Sequence, residues 1–160
     1  MKNLQLTQEP QVKAAMLIRK PVAEVFEAFV NPEITTAFWF TKSSAKLEAG
    51  KSLTWTWEMY NVSVQVNVKE IKEHKRILIE WGDPGNMTNV EWTFVPYESE
   101  STYVIITNSG FQGNGDSMIA QAFDSLGGFT TVLDGAKAWL EHGIKLNLIK
   151  DKYPKGLTEH

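Results

Sequence analysis

The fold follows from LTWTWEMYNVSVQVNV, residues 53–68. Its apolar side chains stand at every second position, first along residues 53–59 and again along residues 62–68. A period of two sends alternate side chains to opposite faces of a β-strand. The stretch therefore predicts two strands with one apolar and one polar face, a pattern typical of an antiparallel sheet that is covered on one side.

The same alternation continues on both sides of this stretch. Downstream, residues 77–81, 90–94 and 102–108 predict three further strands, each bounded by turn residues. Upstream, residues 11–19 predict the first strand, and residues 43–47 predict a short edge strand. The alternation slips by one position near Lys69-Glu70, which indicates a β-bulge. Short connections between the strands favour an antiparallel meander.

Two short helices are predicted between the first strand and the meander. Pro21 stands at the position where helices favour proline, and the apolar side chains of residues 22–29 follow at helical spacing. Asn31 ends this helix and caps a second one, which extends to about residue 40.

A long helix is predicted after the strands. Residues 116–126 predict a short helix, which Gly127-Gly128 interrupts. Apolar spacing along residues 129–143 then predicts the long helix, with Gly143 as its C-cap. A one-sided sheet must bury its apolar face, and this helix is the element available to cover it. The sequence therefore predicts an α+β fold.

Length and composition limit the function classes. The chain has 160 residues, net charge −3 and no cysteine. We expect one domain over residues 1–160, with loose tails at 1–10 and 153–160. The acidic balance of scattered charges argues against nucleic-acid binding, and no apolar run approaches the length of a membrane span. Since the chain lacks cysteine and a hydrophobic signal segment, we expect a cytoplasmic protein.

Six tryptophans lie on or beside the apolar faces of these elements. One interpretation is a solid core, because buried aromatic side chains are usual core material. The other is a ligand cavity, because indoles on adjacent strands pack poorly at core density and ligand pockets are typically apolar and aromatic. We expect a cavity between sheet and helix, walled by Trp39, Phe40, Trp55, Trp57, Trp81, Trp92, Phe94, Phe129, Leu133 and Trp139.

Two further residues complete the predicted site. Asn108 falls on the apolar face of its strand, where a buried amide needs hydrogen-bond partners. It either bonds structurally to the loop backbone near Phe111 or orients an oxygen atom of a ligand. Phe111 itself lies in a glycine-rich loop after the last strand, so we expect it to plug the cavity mouth as part of a flexible lid.

The sequence carries no motif for catalysis, metal binding or a cofactor. His74, His142 and His160 lack the spacing of metal ligands. No pair of carboxylates converges, and no serine stands in a nucleophile elbow. We therefore expect neither a metal nor a cofactor, and a binding protein rather than an enzyme.

Several stretches together resemble the activator of heat-shock protein 90 ATPase homologue-like family, within the START-like (SRPBCC, birch-pollen-allergen-like) helix-grip superfamily. They are RKPVAEVF at 19–26, NPE at 31–33, FWF at 38–40, RILIEW at 76–81, NSGF at 108–111, GGF at 127–129 and LEHG at 140–143. The likeness extends over residues 12–156. Many members have histidine in place of Asn108 and tryptophan in place of Phe129.

The resemblance implies a curved antiparallel sheet of about six strands that grips the last helix, with a cavity between them. Relatives in the superfamily bind lipids, sterols, polyketides or flavonoid-like aromatics, and a few catalyse cyclisation or hydration. We therefore expect this chain to bind a small hydrophobic ligand. The alternatives are a cyclase or hydratase, and an interaction module that activates the chaperone heat-shock protein 90. Polar outer residues such as Thr54, Glu58 and Gln65 do not favour the chaperone interface.

Overall fold

A seven-stranded antiparallel sheet forms the centre of the computed structural model, which describes residues 4–157. The strand order is β1-β7-β6-β5-β4-β3-β2. Strands β2 to β7 each pair with their sequence neighbours, and β1 closes the edge beside β7. The strands are β1 (Val12–Ile18), β2 (Lys42–Ser43), β3 (Ser52–Trp57), β4 (Val62–Lys72), β5 (Arg76–Asp83), β6 (Asn86–Tyr97) and β7 (Ser101–Ser109).

Helices precede and follow the meander. Two short ones, α1 (Val22–Val30) and α2 (Pro32–Thr35), come after β1. The long helix α3 (Gly115–His142) packs on the sheet, most extensively beside β1, and α4 (Leu148–Lys152) follows it. The predicted α+β architecture, with short helices after the first strand and a long C-terminal helix on an antiparallel sheet, is confirmed.

Capping residues set the helix ends, and the sequence predicts two of them, Asn31 and Gly143. The Asn31 side chain accepts a hydrogen bond from the Glu33 backbone N–H at 3.1 Å, and Pro32 occupies the first turn of α2. The Asn114 side chain caps α3 by accepting from the Ser117 N–H at 2.9 Å. Gly143 ends α3 with a left-handed φ of 65°, which is the conformation that favours glycine at a C-cap.

The strand predictions differ from the structure at two connections. Strand β3 ends at Trp57 rather than residue 59, because residues 58–60 form a 3₁₀ turn that lets Trp57 pair with Val62 in the next strand. The predicted edge strand at 43–47 is shortened to β2. Its chain leaves the sheet because the Leu47 N–H donates to the Val30 carbonyl of α1.

The helix predictions also need two corrections. The second short helix ends at Thr35 instead of extending to residue 40, since turns follow it. Gly127-Gly128 does not interrupt the long helix, and α3 is continuous over 28 residues. Each glycine costs a helix about 1 kcal/mol, which the packing of α3 on the sheet outweighs. The predicted bulge is confirmed, because the β4–β5 register shifts between Val68 and Glu70.

The inner face of the sheet carries the hydrophobic core, and the outer face carries charges. On the inner face Trp55, Ile79 and Trp92 are buried beneath the helices. On the outer face the Arg76 guanidinium bridges Glu70 and Glu91. The hydrogen bonds to Glu91 are the main reason that the pKa of Arg76 is raised further, despite an opposing effect of burial.

Parts of the tails that the sequence predicts to be loose are in contact with α3. The Leu4 backbone N–H donates to the Asp116 carboxylate at 3.0 Å. A Cβ atom on Gly115 would lie 2.1 Å from the Leu4 carbonyl oxygen, so this close approach requires glycine. Residues 1–3 and 158–160, which include His160, lie outside the described residues. Over residues 4–157, no helix has the length and apolar character to cross a membrane.

Candidate ligand-binding cavity

A cavity of about 630 Å³ lies between the inner face of the sheet, helix α3 and the C-terminal segment around α4. Strands β3 to β7 each contribute to it, and α3 contributes a stripe at helical spacing. The lining residues are Trp39, Trp57, Tyr60, Val62, Val64, Trp81, Thr88, Asn108, Phe111, Gln121, Asp124, Ser125, Gly128, Phe129, Val132, Ile149, Lys152 and Tyr153.

Aromatic rings form the apolar wall of the cavity. The Trp81 ring lies 5.6 Å from Phe129 and 5.9 Å from Trp39, measured between ring centroids. Trp57 lies 6.4 Å from Trp81 on the neighbouring side. The ring planes are tilted in all three pairs, so none is the face-to-face sandwich that aromatic pairs disfavour. The wall is therefore a packed aromatic surface with open space on one side.

The sequence-predicted site residues divide into two groups in the structure. Six of them line the cavity: Trp39, Trp57, Trp81, Asn108, Phe111 and Phe129. Five others, Phe40, Trp55, Trp92, Phe94 and Leu133, are buried in the core away from the cavity lining, and Trp139 is partly buried against that core.

The predicted residues that do not line the cavity are covered by bulky side chains from other elements. Trp55 stacks on Phe40, with ring centroids 4.7 Å apart and planes 16° apart. Phe29 of α1 packs against both Trp92 and Phe94, with ring centroids 6.1 and 6.0 Å apart. Helix α1 and the segment after α2 thus pack directly against these rings, as in a protein core.

One end of the cavity is polar and is organised around Asn108, which is only 2% exposed. The Asn108 amide nitrogen donates to the Asn89 carbonyl at 2.8 Å and to the Thr88 hydroxyl at 3.0 Å. The Ser125 hydroxyl of α3 donates to the Asn108 amide oxygen at 2.7 Å. Asn108 therefore ties β7 to β6 and α3, rather than to the backbone near Phe111.

The loop after β7 borders the cavity beside this polar end. Phe111 is buried and packs against Val12 and Ala122. The Gln121 side chain donates to the Gln112 carbonyl at 2.7 Å, and Gln112 in turn donates to the Met87 carbonyl at 3.2 Å. These bonds connect the loop to α3 and to β6. A flexible lid at Phe111 stays a prediction.

The C-terminal segment forms the opposite wall, and Tyr60 holds it in place. The Tyr60 hydroxyl donates to the Ile149 carbonyl at 2.5 Å and lies 3.2 Å from the Lys150 carbonyl. Its ring meets Tyr153 edge-on at 5.9 Å. Burial raises the pKa of Tyr60, and Asp151 adds to this effect against a backbone hydrogen bond from Tyr153. The hydroxyl thus stays protonated and able to donate at neutral pH.

Charged groups stand at the rim near this wall. The Tyr153 hydroxyl lies 3.5 Å from the Asp124 carboxylate, and the Lys152 ammonium lies 5.9 Å from the centroid of the Tyr153 ring. Burial raises the pKa of Tyr153, and the nearby Asp124 charge raises it further. Within the part of the chain that the structure describes, no group of three or more His, Asp and Glu residues is placed to hold a metal ion.

The sequence predictions missed three groups of lining residues. Val62 and Val64 carry the same alternation as Trp57, so the strand pattern already indicated them. Ser125 and Gly128 fall one helical turn from Phe129 and Val132, but the glycine pair suggested a break in the helix there. The residues of the C-terminal segment have no comparable signal, because α4 is a single turn and its position depends on tertiary contacts.

The arrangement defines the class of protein. An antiparallel sheet that holds a long C-terminal helix across a cavity is the helix-grip fold of the START-like, or SRPBCC, type. The family described as Activator of Hsp90 ATPase homolog 1-like protein matches residues 19–140, and the chain therefore belongs to it. The family resemblance of the sequence is confirmed. Domains of this class often bind ligands.

Solved structures of other proteins have the same fold. The protein SSP2350 from Staphylococcus saprophyticus is 28% identical, with a TM-score of 0.74 over 86% of this chain and 96% of that one. The Aha1 dimer from Colwellia psychrerythraea is 16% identical, with a TM-score of 0.68 over 84% and 98%. The HSP90 activator PFC0360w from Plasmodium falciparum is 14% identical, with a TM-score of 0.64 over 83% and 96%. No curated protein sequence matches the chain.

Proposed function

We propose that this domain binds a small hydrophobic molecule, aromatic or lipid-like, in the cavity between the sheet, α3 and the C-terminal segment. The observation that carries the proposal is the 630 Å³ cavity with its aromatic wall. Ligand pockets commonly measure about 300–1,000 Å³ and are mostly apolar with a few polar groups. The cavity has a volume in this range, and its lining is mostly apolar with a few polar groups.

The cost of an unfilled cavity supports the same proposal. Empty space lined by apolar side chains destabilises a fold, because the lining atoms lose packing partners. A helix residue larger than Gly128 would fill part of this space, since a Cβ atom there meets no atom within 4 Å. A domain with no use for the space gains stability from such a residue. The open volume is therefore best explained by a ligand that occupies it.

Titration with flavonoid-like and fatty-acid-like compounds tests the proposal. A bound compound is expected to quench tryptophan fluorescence and to shift the indole N–H resonances of the lining residues Trp57 and Trp81. The indole resonances of the core residues Trp55 and Trp92 serve as internal controls and should move less. A broad panel that shifts none of the lining resonances contradicts the proposal.

A second candidate is an enzyme of the cyclase or hydratase type. It is favoured by the titratable groups Asp124, Lys152 and Tyr153 at the rim, which can exchange protons with a bound molecule. Asp124→Asn should then abolish turnover of a ligand while preserving its binding. Unchanged chemical structure of every bound compound after long incubation contradicts this candidate.

A third candidate is interaction with heat-shock protein 90, the chaperone named in the descriptions of the family and of the Plasmodium relative. It is favoured by Phe123, which is 72% exposed on α3, with Leu126 exposed nearby. Phe123→Ser should weaken binding to the chaperone's middle domain, and Ala120→Ser, an exposed position on the same helix, is the control. The charged outer face of the sheet does not support a second contact there.

The absence of cysteine supports our proposal of a reducing, cytoplasmic location.

A further inference from the structure

The polar end of the cavity has a fixed direction of hydrogen bonding. The Asn89 carbonyl can only accept, so the Asn108 atom 2.8 Å from it must be the amide nitrogen. This fixes the orientation of the Asn108 side chain. The same nitrogen then donates to the Thr88 hydroxyl oxygen, and the amide oxygen accepts from Ser125.

As a consequence, the hydroxyls of Ser125 and Thr88 can each form only one kind of hydrogen bond with a ligand. The Ser125 proton is used on Asn108, so Ser125 has only lone pairs to offer a ligand. The Thr88 oxygen accepts from Asn108, and Asn108 is the one hydrogen-bond partner of the Thr88 hydroxyl within residues 4–157. The Thr88 proton is therefore available, and Thr88 lines the cavity.

We propose that the cavity selects hydrophobic molecules that carry an uncharged oxygen group, a hydroxyl or a carbonyl, and that Thr88 donates the hydrogen bond that recognises it. The inference rests on the proposed binding function and adds the chemical class of the ligand. Asn108 is a positioning residue, since it fixes which atom of Thr88 faces the ligand. A ligand hydroxyl can also donate to the lone pairs of Ser125.

The charges around the site favour a neutral oxygen group over an anionic one. Of the lining residues, Lys152 is the one cation, and it lies by the Tyr153 ring on the opposite wall. Asp124, which precedes Ser125 on α3, adds negative charge to the lining. A carboxylate at Thr88 would lose its hydration and gain a single neutral donor in return.

The test compares 2-naphthol with 2-methylnaphthalene, which replaces the hydroxyl by a methyl group of similar size. Calorimetric titration gives the affinity ratio of the two ligands in each protein, and their different hydrophobicity cancels when ratios are compared. In Thr88→Val the ratio should shift against 2-naphthol by about fivefold to tenfold, as expected for one lost hydrogen bond. The valine methyl covers the Asn108 N–H that Thr88 accepted, so the amide does not replace the lost donor.

Two variants control for structural effects. Thr88→Ser retains the hydroxyl and should retain the wild-type ratio. Thr107→Val makes the same exchange on β7 next to Asn108 but on the outer face of the sheet, and should also leave the ratio unchanged. Asn108→Asp supplies a second acceptor for the Thr88 proton and should shift the ratio as Thr88→Val does. A purely structural role of Asn108 would weaken both ligands equally.

The outcomes separate this inference from the proposed function. If both ligands bind and the ratio in Thr88→Val stays within about twofold of wild type, the inference is overturned while the binding function stands. Tighter binding of 2-naphthoate than of 2-naphthol also overturns it. If neither ligand binds the wild-type protein, the role of Thr88 and the cavity's proposed use for aromatic molecules fail together.

Discussion

Two halves of the inner face use the same residue types to opposite effect. In the packed half, defined by Phe29, Phe40, Trp55, Trp92 and Phe94, the aromatic rings pack against one another and are buried. In the open half, defined by Trp57, Val62, Val64, Trp81 and Gly128, the rings border the cavity.

The difference comes from the elements that lie opposite. Helix α1 places Phe29 against the packed half, whereas the middle of α3 presents Ser125 and Gly128 to the open half. A tryptophan on this sheet is thus core or wall according to the size of the side chain that faces it. Small residues on a helix can thus make a binding space without any change in the strands beneath.

Truncating one tryptophan in each half gives the largest expected difference. Trp55→Ala should reduce the free energy of unfolding by about 3–5 kcal/mol, because it leaves a void in close-packed surroundings. Trp81→Ala should cost less, since one side of its ring already faces the cavity. Urea denaturation of both variants measures the difference. Equal losses would mean that the two halves are packed alike.

Filling the open half should remove ligand binding without unfolding the protein. Gly128→Leu places a side chain in the cavity and replaces a poor helix former, so ligand affinity should fall at least about tenfold while stability rises by about 1 kcal/mol. Thr130→Leu, on the exposed side of the same helix, is the matched control. Undiminished affinity in Gly128→Leu would place the ligand elsewhere.

The contact between α3 and the end of β1 should make the stability of the protein depend on pH. Glu141 accepts from the Arg19 N–H at 2.9 Å and pairs with Lys137 at 2.6 Å. Burial acts to raise the pKa of Glu141, but these two partners outweigh it and lower the pKa below its usual value. Ionised Glu141 therefore contributes its full stabilisation above the pKa that it has in the unfolded chain. This stabilisation is lost as the pH falls through the lower pKa that it has in the folded protein.

Removing this carboxylate provides the check. Glu141→Gln should cost about 1–2 kcal/mol at pH 7 and flatten the decline of stability between about pH 5 and pH 3. Denaturant titrations over that range measure the slope, and Glu33→Gln, an exposed position, is the control. A variant with the same slope as wild type would show that Glu141 does not carry this dependence.

A weaker, local effect is expected at the C-terminal wall of the open half. Tyr60→Phe removes the hydrogen bond to the Ile149 carbonyl and should lower local stability of residues 148–153 by about 1 kcal/mol. Because burial raises the Tyr60 pKa, the wild-type bond persists through neutral pH and is lost when the pH rises through that raised value. Amide hydrogen exchange of residues 148–153 measures the effect. Unchanged protection in Tyr60→Phe would assign the wall's stability to other contacts.

Most of the fold was predictable because the strands alternate without ambiguity. The inner positions of Trp55, Trp81 and Trp92 follow from period two alone. The continuity of α3 was not predictable from local sequence, since two glycines lower helix propensity and only tertiary packing compensates for it. The path of the chain at 58–60 was likewise set by the need to pair Trp57 with Val62.

The candidate site was predictable only in part, for a related reason. Sequence period identifies which side of a strand faces inward, and it selected Trp57 and Trp81 together with Trp55 and Trp92. The period does not show which side chains lie opposite each ring. A tryptophan in the cavity wall was therefore not distinguishable from one in the solid core. The partners of Asn108, Thr88 and Ser125, come from a different strand and from α3, and no local pattern joins them.

The wall formed by Ile149, Lys152 and Tyr153 has a consequence for the order of events during synthesis. These residues follow every strand and α3 in the chain, so they leave the ribosome after the sheet-forming sequence. A nascent chain that has released only residues up to 143 still leaves Trp57 and Val62 open to water on that side. A small molecule in the cavity is therefore covered on this side only once residues 148–153 have joined the sheet and α3.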